Sequence, residues 1–207
     1  DPDGAADGAH PVSGAWRLSH DQYLARIERS QRLLHAGESY EICLTDRFEG
    51  KGSIDGLAYY CALRRANPAP YAAYFRFPEF GDRIEIMSAS PERFLTIGAD
   101  RVIESKPIKG TAPRSPDPHA DELVRELLRT DPKTRAENLM IVDLLRNDLG
   151  RVCKYGSVKV EDLCELEDHP TLFHLVSTVT GELQSGVRPS DILKALFPCG
   201  SITGAPK

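Results

Sequence analysis

The stretch that most restricts the fold is Thr134–Leu149, where Leu139, Met140, Ile141, Val142, Leu144, Leu145 and Leu149 crowd one helical run. Apolar side chains this dense cover most of a helix circumference, so the helix must be wrapped by other elements. Its carboxylates, Glu137, Asp143 and Asp148, then need cations, donors or a metal to offset their desolvation. Asp131-Pro132 places a capping side chain before a proline at the first helical position, and Gly150 marks the stop. Asp117-Pro118 opens a second helix in the same way.

Around this pair the pattern changes period. Ser19 and Gln22 form a capping box for a helix whose Leu24, Ile27 and Leu34 recur at helical spacing up to Gly37. A half-buried strand is expected over Tyr40–Phe48, and a helix from about Ile54 to Arg65 that ends before Asn67-Pro68. Tyr71–Phe77, Ile84–Ala89 and Phe94–Ile97 read as three consecutive β segments of an antiparallel meander. Ser157–Leu166 and Leu172–Leu183 read as strands, followed by a short helix near Ile192–Phe197. Strands and helices that do not alternate strictly predict an α+β fold, a mostly antiparallel β-sheet layered with helices.

The chain has 207 residues and a net charge of -5, with no Lys/Arg run longer than two. That excludes the basic footprint of a nucleic-acid binder. No apolar run nears the roughly 20 residues of a membrane helix, and the start lacks the order of a signal peptide, so a cytoplasmic protein is expected. Residues 1–18 open with a stretch rich in Asp, Gly, Ala and Pro, and read as a linker or tether. The five cysteines, Cys43, Cys61, Cys153, Cys164 and Cys199, form no C-x-x-C pair and read as reduced core residues.

Five segments carry possible chemistry. In Pro107-Ile108-Lys109-Gly110-Thr111, which follows neither helix nor strand pattern, a lysine removed from water has its ammonium form disfavoured, which frees the amine as a nucleophile. The plain alternative is a solvated lysine beside a turn. Glu92, after Pro91 at the junction of two β segments, could serve as a general acid if partial burial raises its pKa, or pair with Arg93 as a surface salt bridge of about 0–1 kcal/mol. Glu137 fits magnesium, which binds through one or two carboxylates plus substrate oxygens, whereas Asp143 reads equally well as a structural partner of Arg146. His174 lies in an apolar, β-branched strand and by itself reads as a satisfied core histidine. The loop Gly200-Ser201-Ile202-Thr203-Gly204 offers N–H and O–H donors to anions.

Together and in this order, the segments resemble the chorismate-utilising enzymes. The likeness runs from about Ser19 to Lys207, through Gly37-Glu38-Ser39-Tyr40, Ser90-Pro91-Glu92-Arg93-Phe94, the Lys109 loop, Arg135 to Asp148, His174-Leu175-Val176-Ser177 and the Gly200 loop. It implies a partial chorismate-binding catalytic domain over residues 19–207. Anthranilate synthases typically carry alanine where Lys109 stands, and the lysine is similar to that of the aminodeoxychorismate synthases. Isochorismate and salicylate synthases use a lysine base at a position that corresponds to Glu41.

The resemblance further implies Mg2+ held by Glu137, with Gly110, Thr111, Ser201, Thr203 and Gly204 holding the substrate. Glu92 would act as acid, Lys109 as covalent nucleophile and His174 as the group that orients the leaving hydroxyl. Chorismate would be aminated at C4 on the route to p-aminobenzoate and folate, with ammonia from a glutamine amidotransferase subunit or fused domain. Relatives in this family continue past the position of Lys207 with further magnesium-binding acids and an arginine, so a C-terminally truncated domain is expected. An anthranilate or isochorismate synthase, or a non-catalytic fragment that binds chorismate or docks an amidotransferase, stands as the alternative.

Overall fold

The structure, a computed structural model, describes residues 13–80 and 84–206. In chain order the elements are β1 (Ser13–Trp16), α1 (His20–His35), β2 (Glu41–Ile42), β3 (Phe48–Lys51), α2 (Gly56–Ala66), β4 (Tyr71–Phe77) and, after a 3-10 turn, β5 (Ile84–Ser90). There follow β6 (Thr96–Ile97), β7 (Val102–Ser105), β8 (Ile108–Pro113), α3 (Pro118–Thr130) and α4 (Pro132–Gly150). The last elements are β9 (Lys159–Asp168), β10 (Leu172–Glu182), α5 (Pro189–Leu196), α6 (Gly200–Thr203) and β11 (Gly204–Ala205). Of the expected tether, residues 1–12 lie outside the described residues, while Ser13–Trp16 pairs as a strand.

The chain divides into two compact units, Asp1–Glu28 with Thr45–Glu92, and Arg29–Leu44 with Arg93–Lys207. In the first, β1 runs antiparallel to β3, with Trp16 edge-on to Phe48 at 5.6 Å. There β4 and β5 form an antiparallel pair from Tyr71 opposite Ser90 to Phe77 opposite Ile84. Asp55 caps α2 by accepting from the Ala58 N–H at 2.9 Å, and Tyr60 of α2 stacks on Tyr74 of β4 at 5.7 Å.

The second unit is built on β10, the longest strand. Its one edge takes β8 along Leu172–Val176 and β7 along Val179–Glu182; its other edge takes β9, and all three pairings are antiparallel. Phe173, Leu175, Ser177 and Val179 lie on one face and are buried, and at the middle of the strand Val176 and Thr178 are buried on the other face as well. The cover is α4, whose Ile141 and Leu145 join Val179 and Ile103 in the main apolar core. Asn138 of α4, fully buried, fixes this contact through hydrogen bonds. Its amide donates to the Leu175 carbonyl at 3.4 Å, and its carbonyl accepts from the Ser177 hydroxyl, which in turn accepts from the Cys164 N–H at 2.9 Å.

The α+β class stands, with the sheets antiparallel throughout, and the two Asp-Pro caps begin α3 and α4 where expected. Several local expectations are corrected. Tyr40–Phe48 is not one strand: β2 pairs with β11 and β3 with β1. The third β segment does not extend the β4–β5 pair, because Thr96–Ile97 is drawn to β7 in the other sheet. Helix α4 is covered on one face only, since Leu139 stays 54% exposed, and Asp143 is an exposed partner of Arg146 at 3.1 Å. All five cysteines are free, but only Cys153, Cys164 and Cys199 are buried; Cys43 is half-buried and Cys61 is exposed on α2, whose one buried residue is Gly56.

Candidate active site

The Lys109 segment is a strand, not a loop. Pairing to β10 supplies what the Pro107-Ile108-Lys109-Gly110-Thr111 pattern lacks, and the ladder slips between His174 and Val176 so that Lys109 and Gly110 share one β-bulge. Gly110 has φ +99°, and a Cβ there would lie 2.3 Å from the Thr134 side chain. Only glycine lets β8 lie this close to the start of α4.

The Lys109 amine is sheltered. It donates to Glu41 Oε1 and, at 3.0 Å, to the carbonyl of Ser201. The side chains of Lys109 and Glu41 are only 13% and 11% exposed. Burial is the largest influence on Lys109 and pulls its pKa down; the hydrogen bond and charge of Glu41, with smaller effects from Cys43 and Glu137, outweigh it and leave Lys109 above the ordinary lysine value. The expectation of an uncharged amine is therefore corrected: Lys109 is dry, but it is an ammonium paired with a carboxylate. Burial also pushes the neighbouring Cys43 thiol up, so it is neutral and does not compete for the cation.

The terminal segment closes over this pair. Gly204 pairs with Ile42 and Ala205 with Glu41, and the Ala205 carbonyl accepts from the Tyr40 N–H and the Ser39 hydroxyl, both at 2.8 Å. Gly204 has φ +112°, and a Cβ on it would sit 2.2 Å from the Glu41 carbonyl oxygen. Ser201 contributes its carbonyl to Lys109, and the Thr203 hydroxyl donates to the Cys199 carbonyl at 3.1 Å. Thus Lys109, Ser201, Thr203 and Gly204, predicted from distant parts of the sequence, come together.

His174 takes different partners. It stands opposite Thr111 of β8 and Glu167 of β9, its ring centroid 4.9 Å from that of His169. Desolvation, then the charge of His169, holds its pKa below the ordinary histidine value against the opposing Glu167. His174 is thus neutral near neutral pH and able to accept a proton or a hydrogen bond. Glu92 belongs to the first unit, partly buried, where the Ser90 hydroxyl donates to its carbonyl at 3.0 Å. Arg93 pairs with Glu104.

Glu137 is one-third exposed, 3.5 Å from Lys133, and acts electrostatically on Lys109 and Cys43. Among the described residues no group of three or more His, Cys, Asp or Glu side chains is arranged to hold a metal. One partly buried carboxylate fits magnesium as a single protein ligand, with substrate and water oxygens filling the remaining positions. An open cleft of about 650 Å3 runs along the uncovered side of α4, lined by Tyr40, Leu139, Met140, Asp143, Leu144, Asn147, Ala205 and Pro206. None of the predicted binding residues lines it. Sequence reasoning named Glu41 only as the counterpart of a lysine base and gave it no role; its signal was the second acid of the Gly37-Glu38-Ser39-Tyr40-Glu41 run.

Residues 3–207 match the family described as chorismate binding enzyme. The chain belongs to that family. The chain is 51% identical, over 93% of its length, to the aminodeoxychorismate synthase of Streptomyces pristinaespiralis, of which it covers 26%. It is 44% identical over 95% of its length to aminodeoxychorismate synthase component 1 of Klebsiella aerogenes, of which it covers 43%. Among solved structures, anthranilate synthase component I from Streptococcus pneumoniae matches with a TM-score of 0.79 and 30% identity, over 96% of this chain and 42% of that one. The chain therefore spans less than half the length of these relatives. Among its described residues no helix is long and apolar enough to cross a membrane.

Proposed function

We propose that this chain carries the amination of chorismate at C4 to 4-amino-4-deoxychorismate, with ammonia drawn from a glutamine amidotransferase as a separate subunit or fused domain. The observation that carries the reading is Lys109, an amine held out of solvent on β8 beside Ser201, in a chain half identical to an aminodeoxychorismate synthase.

Lys109 gives its ammonium proton to solvent, its nitrogen bonds to C2, and the ring double bonds shift toward C4. Glu92 donates a proton to the departing C4 hydroxyl, which leaves as water. Neutral His174 accepts a hydrogen bond from that hydroxyl and orients it. Ammonia then bonds to C4, the double bonds shift back, and the C2–N bond breaks to return Lys109, while the surplus proton on the new C4 ammonium group restores the acid form of Glu92. Gly110, Thr111, Ser201, Thr203 and Gly204 hold the anionic ring. Glu137 is the residue present that would hold Mg2+, which when bound neutralises the ring carboxylate.

The test is incubation of the full-length protein with chorismate, magnesium and ammonium, with products and the Lys109 peptide read by mass. Expected are 4-amino-4-deoxychorismate and, when ammonium is withheld, a Lys109 peptide heavier by chorismate less water. Anthranilate or isochorismate as the sole product, or product with the lysine never modified, overturns the reading.

A further inference from the structure

We infer that Glu41 is the positioning residue of Lys109, holding its amine in place and setting the pH at which it becomes a nucleophile. The geometry is that of two side chains that each lack another solution. Glu41 Oε1 accepts from Lys109 and, at 3.5 Å, from the Cys43 thiol, whereas the buried Oε2 has no hydrogen-bond partner. A carboxylate buried with one oxygen unserved depends on a counter-charge, and Lys109 supplies it.

The backbone keeps Glu41 there. It is clamped in β2 by its pairing with Ala205, its carbonyl accepts from the Ser39 hydroxyl at 3.0 Å, and Gly204 lies against that same carbonyl.

The groups facing Lys109 are Glu41 and Cys43 from the β2 segment, Glu137 from α4 and the Ser201 carbonyl from α6. Cys43 is a neutral thiol. Glu137 is more exposed and has Lys133 beside it at 3.5 Å, so water and that ammonium screen it. Among the described residues Glu41 is the one carboxylate in direct contact, and it governs the charge of the amine.

The inference concerns Lys109 in the resting protein; only its catalytic consequence rests on the amination reading. The experiment is competitive labelling of the full-length protein with acetic anhydride across pH, with the residue 109 peptide quantified by mass. The plateau rate reports access and the midpoint reports protonation. For Glu41→Gln, which keeps an acceptor oxygen but no charge, the Lys109 midpoint is expected to fall by at least about one pH unit, or about tenfold faster labelling below the midpoint. Glu41→Asp, which keeps the charge, is expected to restore most of the shift. A Glu41→Gln midpoint equal to the native one overturns the inference, as does a change confined to the plateau. If amination is then followed in the same variants, a pH profile that moves with the labelling midpoint supports both readings. A labelling midpoint that moves while the amination profile stays fixed upholds the role of Glu41 and removes Lys109 from the chemistry.

Discussion

Replacing Lys109 with alanine tests how far the Glu41–Lys109 pair is sheltered, through stability alone. An ion pair in full solvent contributes about 0–1 kcal/mol, whereas removing one partner of a buried pair costs about 3–5 kcal/mol, because the other charge is left uncompensated. With the side chains 13% and 11% exposed, and with one oxygen of Glu41 already buried without a donor, Lys109→Ala should fall near the lower end, at about 3 kcal/mol. That is a change of roughly 150-fold in the folding equilibrium, a large share of the 5–15 kcal/mol of a typical domain. Adding Glu41→Gln to Lys109→Ala removes the stranded charge and should recover about 2 kcal/mol. Urea denaturation followed by far-UV circular dichroism, run as a double-mutant cycle, measures both quantities. A single-variant loss below about 0.5 kcal/mol, or a coupling within about 0.5 kcal/mol of zero, would show that water reaches the pair and would refute the reasoning.

Gly204→Ala puts a methyl group against the Glu41 carbonyl at a backbone angle that L-residues avoid. It should cost about 1–3 kcal/mol and raise the labelling plateau of Lys109, read by denaturation and mass; an unchanged plateau would show that β11 does not hold Glu41. For His174, whose folded pKa lies below its unfolded value, the unfolded chain takes up the proton first as pH falls. Stability should therefore decline between about pH 6.5 and the lower folded pKa, and His174→Gln should flatten that part of the curve of urea midpoint against pH. An equal slope in both proteins would place the acid sensitivity elsewhere.

The parts of the fold legible in the sequence are those set by neighbours in the chain. The Ser19–Gln22 box hydrogen-bonds at both ends, Asp117 and Asp131 cap their helices, and Gly37 ends α1 with φ +75°, because each signal lies within a few residues of its effect. Strands β7 and β8 were not legible. Ile103 and Ser105 are buried with Glu104 between them, and Pro107 interrupts the pattern, so the strand character of Ile108–Pro113 comes from β10 and not from its own residues. The place of Lys109 was legible as chemistry, a lysine between proline and glycine. Its charge was not, because that depends on Glu41, 68 positions earlier, and no local pattern links the two.

The separations that join this cluster, 68 residues from Glu41 to Lys109 and 92 from Lys109 to Ser201, also order events during synthesis. Helices α3 and α4 can form from local contacts, but contacts across such distances carry a loop-closure cost that is met late. The amine stays wet and reactive toward adventitious electrophiles until residue 201 has left the ribosome and docked. Protection of that one lysine in a pulse-labelled nascent chain would then act as a clock for completion of the second unit.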